Sequence, residues 1–211
     1  MATFAGRILF FPLLLVLLNG CATVYKHPTL SAAKPRELAL LPITVSLANA
    51  KLPPNITVAQ MVELENAEGR RMYEEVYYHF VTVQRQKGLG VPLQPIERTD
   101  SLLAAAGVRQ DNILSFSDVQ LAKILGVDQT LRIQMDKTYL MSNTAAIVLF
   151  VLTPLYAATR QLTVDAKISD GATGQTVWQY APLLTAGPFN DENYPLQLFK
   201  DKLIKKFPYK R

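Results

Sequence analysis

Apolar and polar positions alternate along this chain in three distinct ways. Near the start, Ile8 to Leu18 is an unbroken apolar block. As a helix rising about 1.5 Å per residue it reaches only about 16 Å, roughly half of what a bilayer core requires. From Leu38 to Ile43 a shorter apolar run reads as a strand buried on both faces, with Pro42 toward its end, where a missing N–H does little harm. Helical spacing follows. Thr57 and Gln60 have capping-box spacing, and Met61, Leu64, Met72, Val76, Phe80 and Val83 recur every three or four residues toward Lys87. A polar gap from Glu65 to Arg71 interrupts that stripe, and Gly69 within it predicts a bend or break.

Val91 to Ile96, carrying Pro92 and Pro95, reads as an edge strand, and Thr99 to Ala106 as a helix stopped by Gly107. Ser117 and Gln120 form a second capping box. Phe116 and Leu121 have staple spacing, and Leu121, Ile124 and Leu125 make the buried face before Gly126. Beyond Gly126 the period changes to two. Leu131, Ile133 and Met135 alternate with Arg132, Gln134 and Asp136, and Leu162, Val164, Ala166 and Ile168 alternate with Gln161, Thr163, Asp165 and Lys167. Asp170 to Gly174 is turn chemistry, so Thr176 to Ala181 should return antiparallel. A last helix runs from about Glu192 to Phe207. Its Phe199, Leu203 and Phe207 share one side with lysines opposite, which predicts docking on its own sheet; resting on a lipid surface is the alternative. The order predicts an α/β protein: a two- or three-layer sandwich of a mixed sheet, about four to five strands, with flanking helices.

One segment fits none of these periods. Ala145 to Ala158 (AAIVLFVLTPLYAA) carries no charge and lies between the two alternating strands. A buried crossover or a helix packed on the sheet would cover it. Otherwise Ile147, Val148, Leu149, Phe150, Val151, Leu152 and Leu155 contact a membrane or a partner, since so apolar a patch is rarely left in water. As a helix it is too short to cross a bilayer, and as a hairpin its arms fall short of a membrane strand and lack in/out alternation.

Composition sharpens the reading at the N-terminus. The chain has 211 residues, one cysteine and a net charge of +5. Arg7 is the only charged residue ahead of the Ile8–Leu18 block, and Asn19-Gly20 follows it, the layout of a secretory signal. The lone cysteine, Cys21, comes next. Leu18, Asn19, Gly20 and Cys21 resemble the lipobox of a bacterial lipoprotein, although Asn19 stands where Ala, Ser or Thr is usual. The resemblance implies that residues 1–20 are removed, that Cys21 takes a diacylglycerol and an acyl chain, and that Ala22, not being Asp, directs the protein to the outer membrane. Without a second cysteine no internal disulfide is available, so the domain relies on its core. Residues 21–35, with two prolines and no periodicity, read as a tether, and 36–211 as a single domain with an apolar insertion at 145–158.

Candidate chemistry is sparse. The two histidines are His27 in the tether and His79 inside the long helix, the latter beside Tyr77, Tyr78 and Phe80 and more simply structural than catalytic. The glycines at 88, 90, 171 and 174 lack the ending and context of a phosphate loop. Glu63/Glu65 and Glu74/Glu75 sit on helical stretches as solvated faces. No enzyme, no metal, no cofactor and no nucleic acid are therefore expected, and an envelope hydrolase ranks third.

Three stretches carry a wider resemblance: Leu38-Ala39-Leu40-Leu41-Pro42, Leu121 through Asp128, and Ile168 through Trp178. They are similar to a family of bacterial envelope lipoproteins that includes the curli-secretion channel subunit, the penicillin-binding-protein activator lipoprotein and the N-terminal domain of the Tol translocation protein. Arg98 through Gly107 and Lys206 through Tyr209 look like uncharacterised lipoproteins of the same build. The resemblance implies a shared fold that secretes, scaffolds or activates, so it fixes no function. Two readings are expected. In the first the chain is a periplasmic, outer-membrane-anchored, non-catalytic module for an envelope protein or cell wall. In the second it is a homo-oligomeric secretion component whose residues 145–158 enter the membrane.

Overall fold

The structure, a computed structural model, describes residues 23–31, 35–52, 55–86, 88–153 and 157–211. The signal segment 1–20 and Cys21 lie outside the described residues, as does Leu155. Seven strands form one mixed sheet: β1 (Thr23–Lys26), β2 (Leu38–Leu40), β3 (Thr44–Asn49), β4 (Gln129–Tyr139), β5 (Arg160–Asp170), β6 (Thr176–Ala181) and β7 (Leu183–Ala186). β2 and β3 both run parallel to β4, one after the other, and are separated where Leu41-Pro42-Ile43 breaks the ladder. β6 and β7 likewise follow one another along β5, on either side of Pro182. Seven strands thus occupy five positions across the sheet, and each proline falls at a joint, where no ladder N–H is lost.

Residue alternation assigns the two faces. Leu131, Ile133, Met135, Leu162, Val164, Ala166, Ile168, Trp178 and Tyr180 all point to one side and are buried. Two helices cover them, α1 (Val58–Arg85) and α5 (Tyr194–Lys206). The expected capping box opens α1: the Thr57 N–H donates to Gln60 Oε1 at 2.9 Å and the Gln60 N–H to Thr57 Oγ1 at 3.2 Å. Met72, Tyr73, Val76, Tyr77 and Phe80 then line its buried face. Phe199, Leu203 and Phe207 of α5 are buried on the sheet, so the last helix docks inward and wets its lysines. Phe207 sits edge-on to both Phe80, at 4.9 Å, and Trp178, at 5.9 Å.

No break occurs at Gly69: α1 runs continuously through it. Steric room explains this glycine better than helix weakness does. A Cβ there would lie 2.4 Å from the Ile43 carbonyl oxygen and 1.9 Å from Gln110 Nε2, so only glycine lets α1 approach the β2–β3 joint.

The opposite face is covered at one end only, by α2 (Ile96–Ala105) and α3 (Asp118–Leu125). Together with Ala39, Leu41, Ile113 and Val127 these helices enclose a smaller second core. α3 matches its sequence signal closely, from the Ser117–Gln120 capping box to Gly126 in the left-handed region at φ 68°. Arg132, expected on a wet face, is instead covered by α3. It donates Nε to Asp118 Oδ1 at 2.8 Å, and Asp118 Oδ2 accepts from the Ser169 hydroxyl at 2.6 Å. Val91 to Ile96 is a corrected segment: it makes only a single bridge, Leu93 to Leu38, and Ile96 already opens α2.

The stretch expected as a tether is largely structured. β1 pairs antiparallel with β6, from Thr23 opposite Ala181 to Lys26 opposite Trp178, and Pro28–Ser31 forms a 3-10 turn. Val24 and Leu30 pack against the main core. The folded body therefore begins only two residues after Cys21.

Candidate functional site

The charge-free segment leaves the sheet as an excursion between β4 and β5. Its base is closed by hydrogen bonds: the Leu140 N–H donates to the Thr159 carbonyl at 2.9 Å, and the Thr159 N–H to the Ala186 carbonyl at 2.8 Å. Inside it stands α4 (Asn143–Leu152). Ser142 caps it, accepting from the Ala145 N–H at 3.0 Å, and Thr153 ends it by donating its hydroxyl to the Leu149 carbonyl at 2.7 Å.

Of the α4 side chains only Ala146 is buried. Ile147, Val148, Leu149, Phe150, Val151 and Leu152 are all exposed, Phe150 by 43%, Val151 by 72% and Leu152 by 74%. Such a helix is anomalous in water. Ten residues lie below the length at which an isolated helix persists, β-branched Ile147, Val148 and Val151 lower its propensity, and almost no side chain docks on the body. Phe189, 69% exposed in the turn after β7, extends the patch by meeting Phe150 edge-on at 6.3 Å between ring centroids. Leu183 and Leu140 are exposed on the same end of the sheet.

Strand register shows where β1 begins relative to this patch. Thr23 faces Ala181; beyond Ala181, the neighbouring strand continues through β7 to Ala186, which faces Arg160 at the foot of α4. Thr23 is thus at the end of β1 nearer α4. The five residues from Ala181 to Ala186 measure about 17 Å along a strand, and the two residues from Thr23 back to Cys21 reach about 7 Å.

Next to the amino end of α4 a cleft of about 1020 Å³ opens between the start of α1, the ends of β3 and β4 and the start of α5. Leu47, Leu52, Leu64, Tyr139 and Leu196 supply its apolar walls, and Lys51, Glu68, Arg71, Lys137 and Arg160 its charges. Glu68, Arg71 and Lys137 are paired with one another, while Arg160 reaches the Asn190 carbonyl at 2.8 Å and Lys51 lies over the Tyr139 ring. Arg71 donates to both Glu68 oxygens, at 2.7 and 2.9 Å, Lys137 donates to Glu68, Arg71 also reaches Glu75 at 2.5 Å, and Glu75 accepts from Lys200 at 3.0 Å. The Arg71 hydrogen bonds, with help from Lys137 and against the effect of burial, lower the Glu68 carboxyl to a pKa of about 2. A group held ionised in this way is poorly suited to proton transfer near neutrality.

The structure brings six of the seven predicted contact residues, Ile147 to Leu152, onto one exposed helix; Leu155 and Cys21 lie outside the described residues. His79 is half-buried, and burial holds its pKa below the usual value. The carboxylates read as solvated faces are partly otherwise: Glu65 accepts from the Leu47 N–H at 2.8 Å, and Glu74 and Glu75 pair with Arg70 and Arg71. Two features were missed. Phe189 has a sequence signal, a lone aromatic inside Gly187-Pro188-Phe189-Asn190-Asp191, where turn chemistry gives it nothing to pack on. The cleft has none, because its walls come from six separate elements. Among the described residues no helix is long and apolar enough to cross a membrane, and no cluster of metal-ligating side chains occurs.

No protein-family model and no curated protein matches the chain. Among solved structures it is similar to the lipoprotein GNA1162 from Neisseria meningitidis, at 13% identity and a TM-score of 0.42 over 82% of this chain and 96% of that one. It is also similar to the PelC dodecamer from Paraburkholderia phytofirmans, at 12% identity and a TM-score of 0.43 over 90% and 97%. A further similarity is to the LpoB C-terminal domain from Escherichia coli, at 11% identity and a TM-score of 0.38 over 75% and 94%.

Proposed function

We propose that this protein is a lipid-anchored accessory module of the bacterial envelope, held by acylated Cys21 at the periplasmic side of the outer membrane and acting on an envelope protein or cell wall by contact. The observation that carries the reading is the entry of β1 into the sheet. A tether of fifteen residues would let the domain range widely, whereas pairing that starts at Thr23 keeps the body within about 7 Å of chain from the anchor. Acyl chains contribute about 0.8 kcal/mol per buried methylene, and several acting together give a stable hold.

The contact role is supported by Glu68, Arg71 and Lys137 of the cleft, which neutralise one another in an ion-pair chain that continues through Glu75 to Lys200. The surface offered to a partner is the half of the sheet that α2 and α3 leave uncovered, where Gln134, Asp136, Asp165 and Gln179 face outward.

The test is metabolic labelling with palmitate, followed by crosslinking in intact cells. Wild-type protein should carry label, sediment with membranes and crosslink to an envelope protein or to cell wall from positions such as Asp136→Cys. Undiminished palmitate in Cys21→Ala would refute the anchor, and a hydrolytic activity in the purified protein that survives Cys21→Ala would refute the contact role.

A further inference from the structure

We infer that α4 is a second, body-borne membrane contact: its six apolar side chains and Phe189 enter the periplasm-facing leaflet of the same bilayer that holds the Cys21 lipid, seating the domain end-on. The inference deepens the proposed function and takes from it the presence of a bilayer at the N-terminus. Three observations select lipid as the occupant. The first is composition: α4 has no charge and no polar side, and Val151 and Leu152 are the most exposed of its large apolar side chains. Protein interfaces carry a polar rim around an apolar centre. A helix that is apolar all round suits a medium with no directional preference.

The second is length. Ten residues at about 1.5 Å each give about 15 Å, the depth of one leaflet and half of the roughly 30 Å core. α4 can bury its side chains in hydrocarbon without spanning the bilayer. Ser142 caps its first turn, and the Thr153 N–H and hydroxyl both close on the Leu149 carbonyl.

The third is position. The antiparallel register puts Thr23 at the end of β1 nearer β7 and the foot of α4, and Cys21 is two residues from Thr23 in sequence. Cys21 then reaches within about 10 Å of the foot of α4 along the strand direction, a gap that a diacylglyceryl group spans, so its lipid and α4 can enter one surface together. Two attachments on one rigid body restrict its rotation in a way that one flexible anchor cannot, and the uncovered face of the sheet is then held at a set angle to the membrane.

Because Cys21 is the only cysteine and its thiol is acylated, a cysteine introduced elsewhere in the full chain can be labelled alone. Val151→Cys and, at the opposite end of β5, Ala172→Cys are labelled with the fluorophore NBD in acylated protein reconstituted into phosphatidylethanolamine/phosphatidylglycerol vesicles. The expected result is blue-shifted emission at position 151, quenched by doxyl-labelled acyl chains, with water-like unquenched emission at 172. Water-like emission at 151 on an acylated chain would overturn the inference while leaving the anchor intact. Emission at 151 that is shielded from water yet unquenched by doxyl lipid would overturn it too, in favour of a second copy of this chain covering α4. An unacylated Cys21, read by mass on the same sample, would overturn the anchored reading from which the inference starts. Phe150→Asp with Val151→Asp supplies the complementary measurement. Both side chains stand in solvent, so the fold tolerates them. In acyl-free protein exported with a non-lipoprotein signal, vesicle partitioning should fall roughly tenfold or more. Equal partitioning of the double variant and its parent would also overturn the inference.

Discussion

Replacing Gly69 with alanine should destabilise this protein, although the same change in an ordinary helix stabilises it. Alanine gains up to about 1 kcal/mol in helix propensity over glycine. At Gly69 the new methyl would sit 1.9 Å from Gln110 Nε2 and 2.4 Å from the Ile43 carbonyl oxygen. The two clashes differ in kind. The Gln110 amide is the end of a flexible side chain and can swing away, but it would abandon its 2.9 Å hydrogen bond to that same carbonyl, at a cost of about 1 kcal/mol. The carbonyl belongs to the joint between β2 and β3, beside Pro42, and cannot turn without disturbing pairing to β4. α1 must then shift outward and loosen Met72 and Tyr73, which are fully buried, and overpacking of this sort costs about 1–3 kcal/mol. The net expectation is a loss of about 2 kcal/mol, or a Tm lower by about 4–8 °C for a domain of this size. Urea unfolding of the exported, acyl-free protein measures it. In Gly69→Ala with Gln110→Ala the same hydrogen bond is lost and the carbonyl clash stays, so the double variant should be no more stable than Gly69→Ala. A Gly69→Ala midpoint equal to or above wild type would refute the close approach of α1 to the joint.

Other outcomes follow from the ion pairs. Asp118→Asn leaves Arg132 buried without its carboxylate, since their side chains are only 8% and 10% exposed, and should cost about 3 kcal/mol in urea unfolding; replacing the pair by Asp118→Leu with Arg132→Met should cost less than the single change. Glu68 has a folded pKa of about 2 against an ordinary 4.5. Its contribution, at most about 3 kcal/mol, is present above pH 4.5 and is lost as pH falls from there toward 2. Asp118 acts in the same direction: burial raises its pKa, but the Ser169 hydroxyl and Arg132 outweigh burial and leave it lowered. Glu68→Gln should flatten the acid limb of stability against pH, and an unchanged limb would contradict the Glu68 assignment.

The elements most legible in the sequence were those whose signals are local. The Ser117–Gln120 box, the left-handed Gly126 and the alternation from Leu131 to Met135 each reappear in the structure at the residues that announce them. Signals that depend on distant partners were harder to read. Gly69 looked like a weak point because nothing nearby in sequence reveals the Ile43 carbonyl pressed against it. Arg132 looked wet because α3, which covers it, is fixed by tertiary packing. β1 escaped notice since four residues with no alternation become a strand only through pairing with β6. For the apolar segment, composition showed that something must cover Ile147 to Leu152. A helix standing clear of the sheet, near the point where the chain enters it, is visible only in three dimensions.

The most direct test of the account is the mass of the N-terminal tryptic peptide from protein extracted out of native membranes. Cleavage after Lys26 should release a peptide running from Cys21 to Lys26, heavier than its bare sequence by a diacylglyceryl group and an acyl chain. A chain that retains Met1 and carries a free thiol at Cys21 would contradict the account.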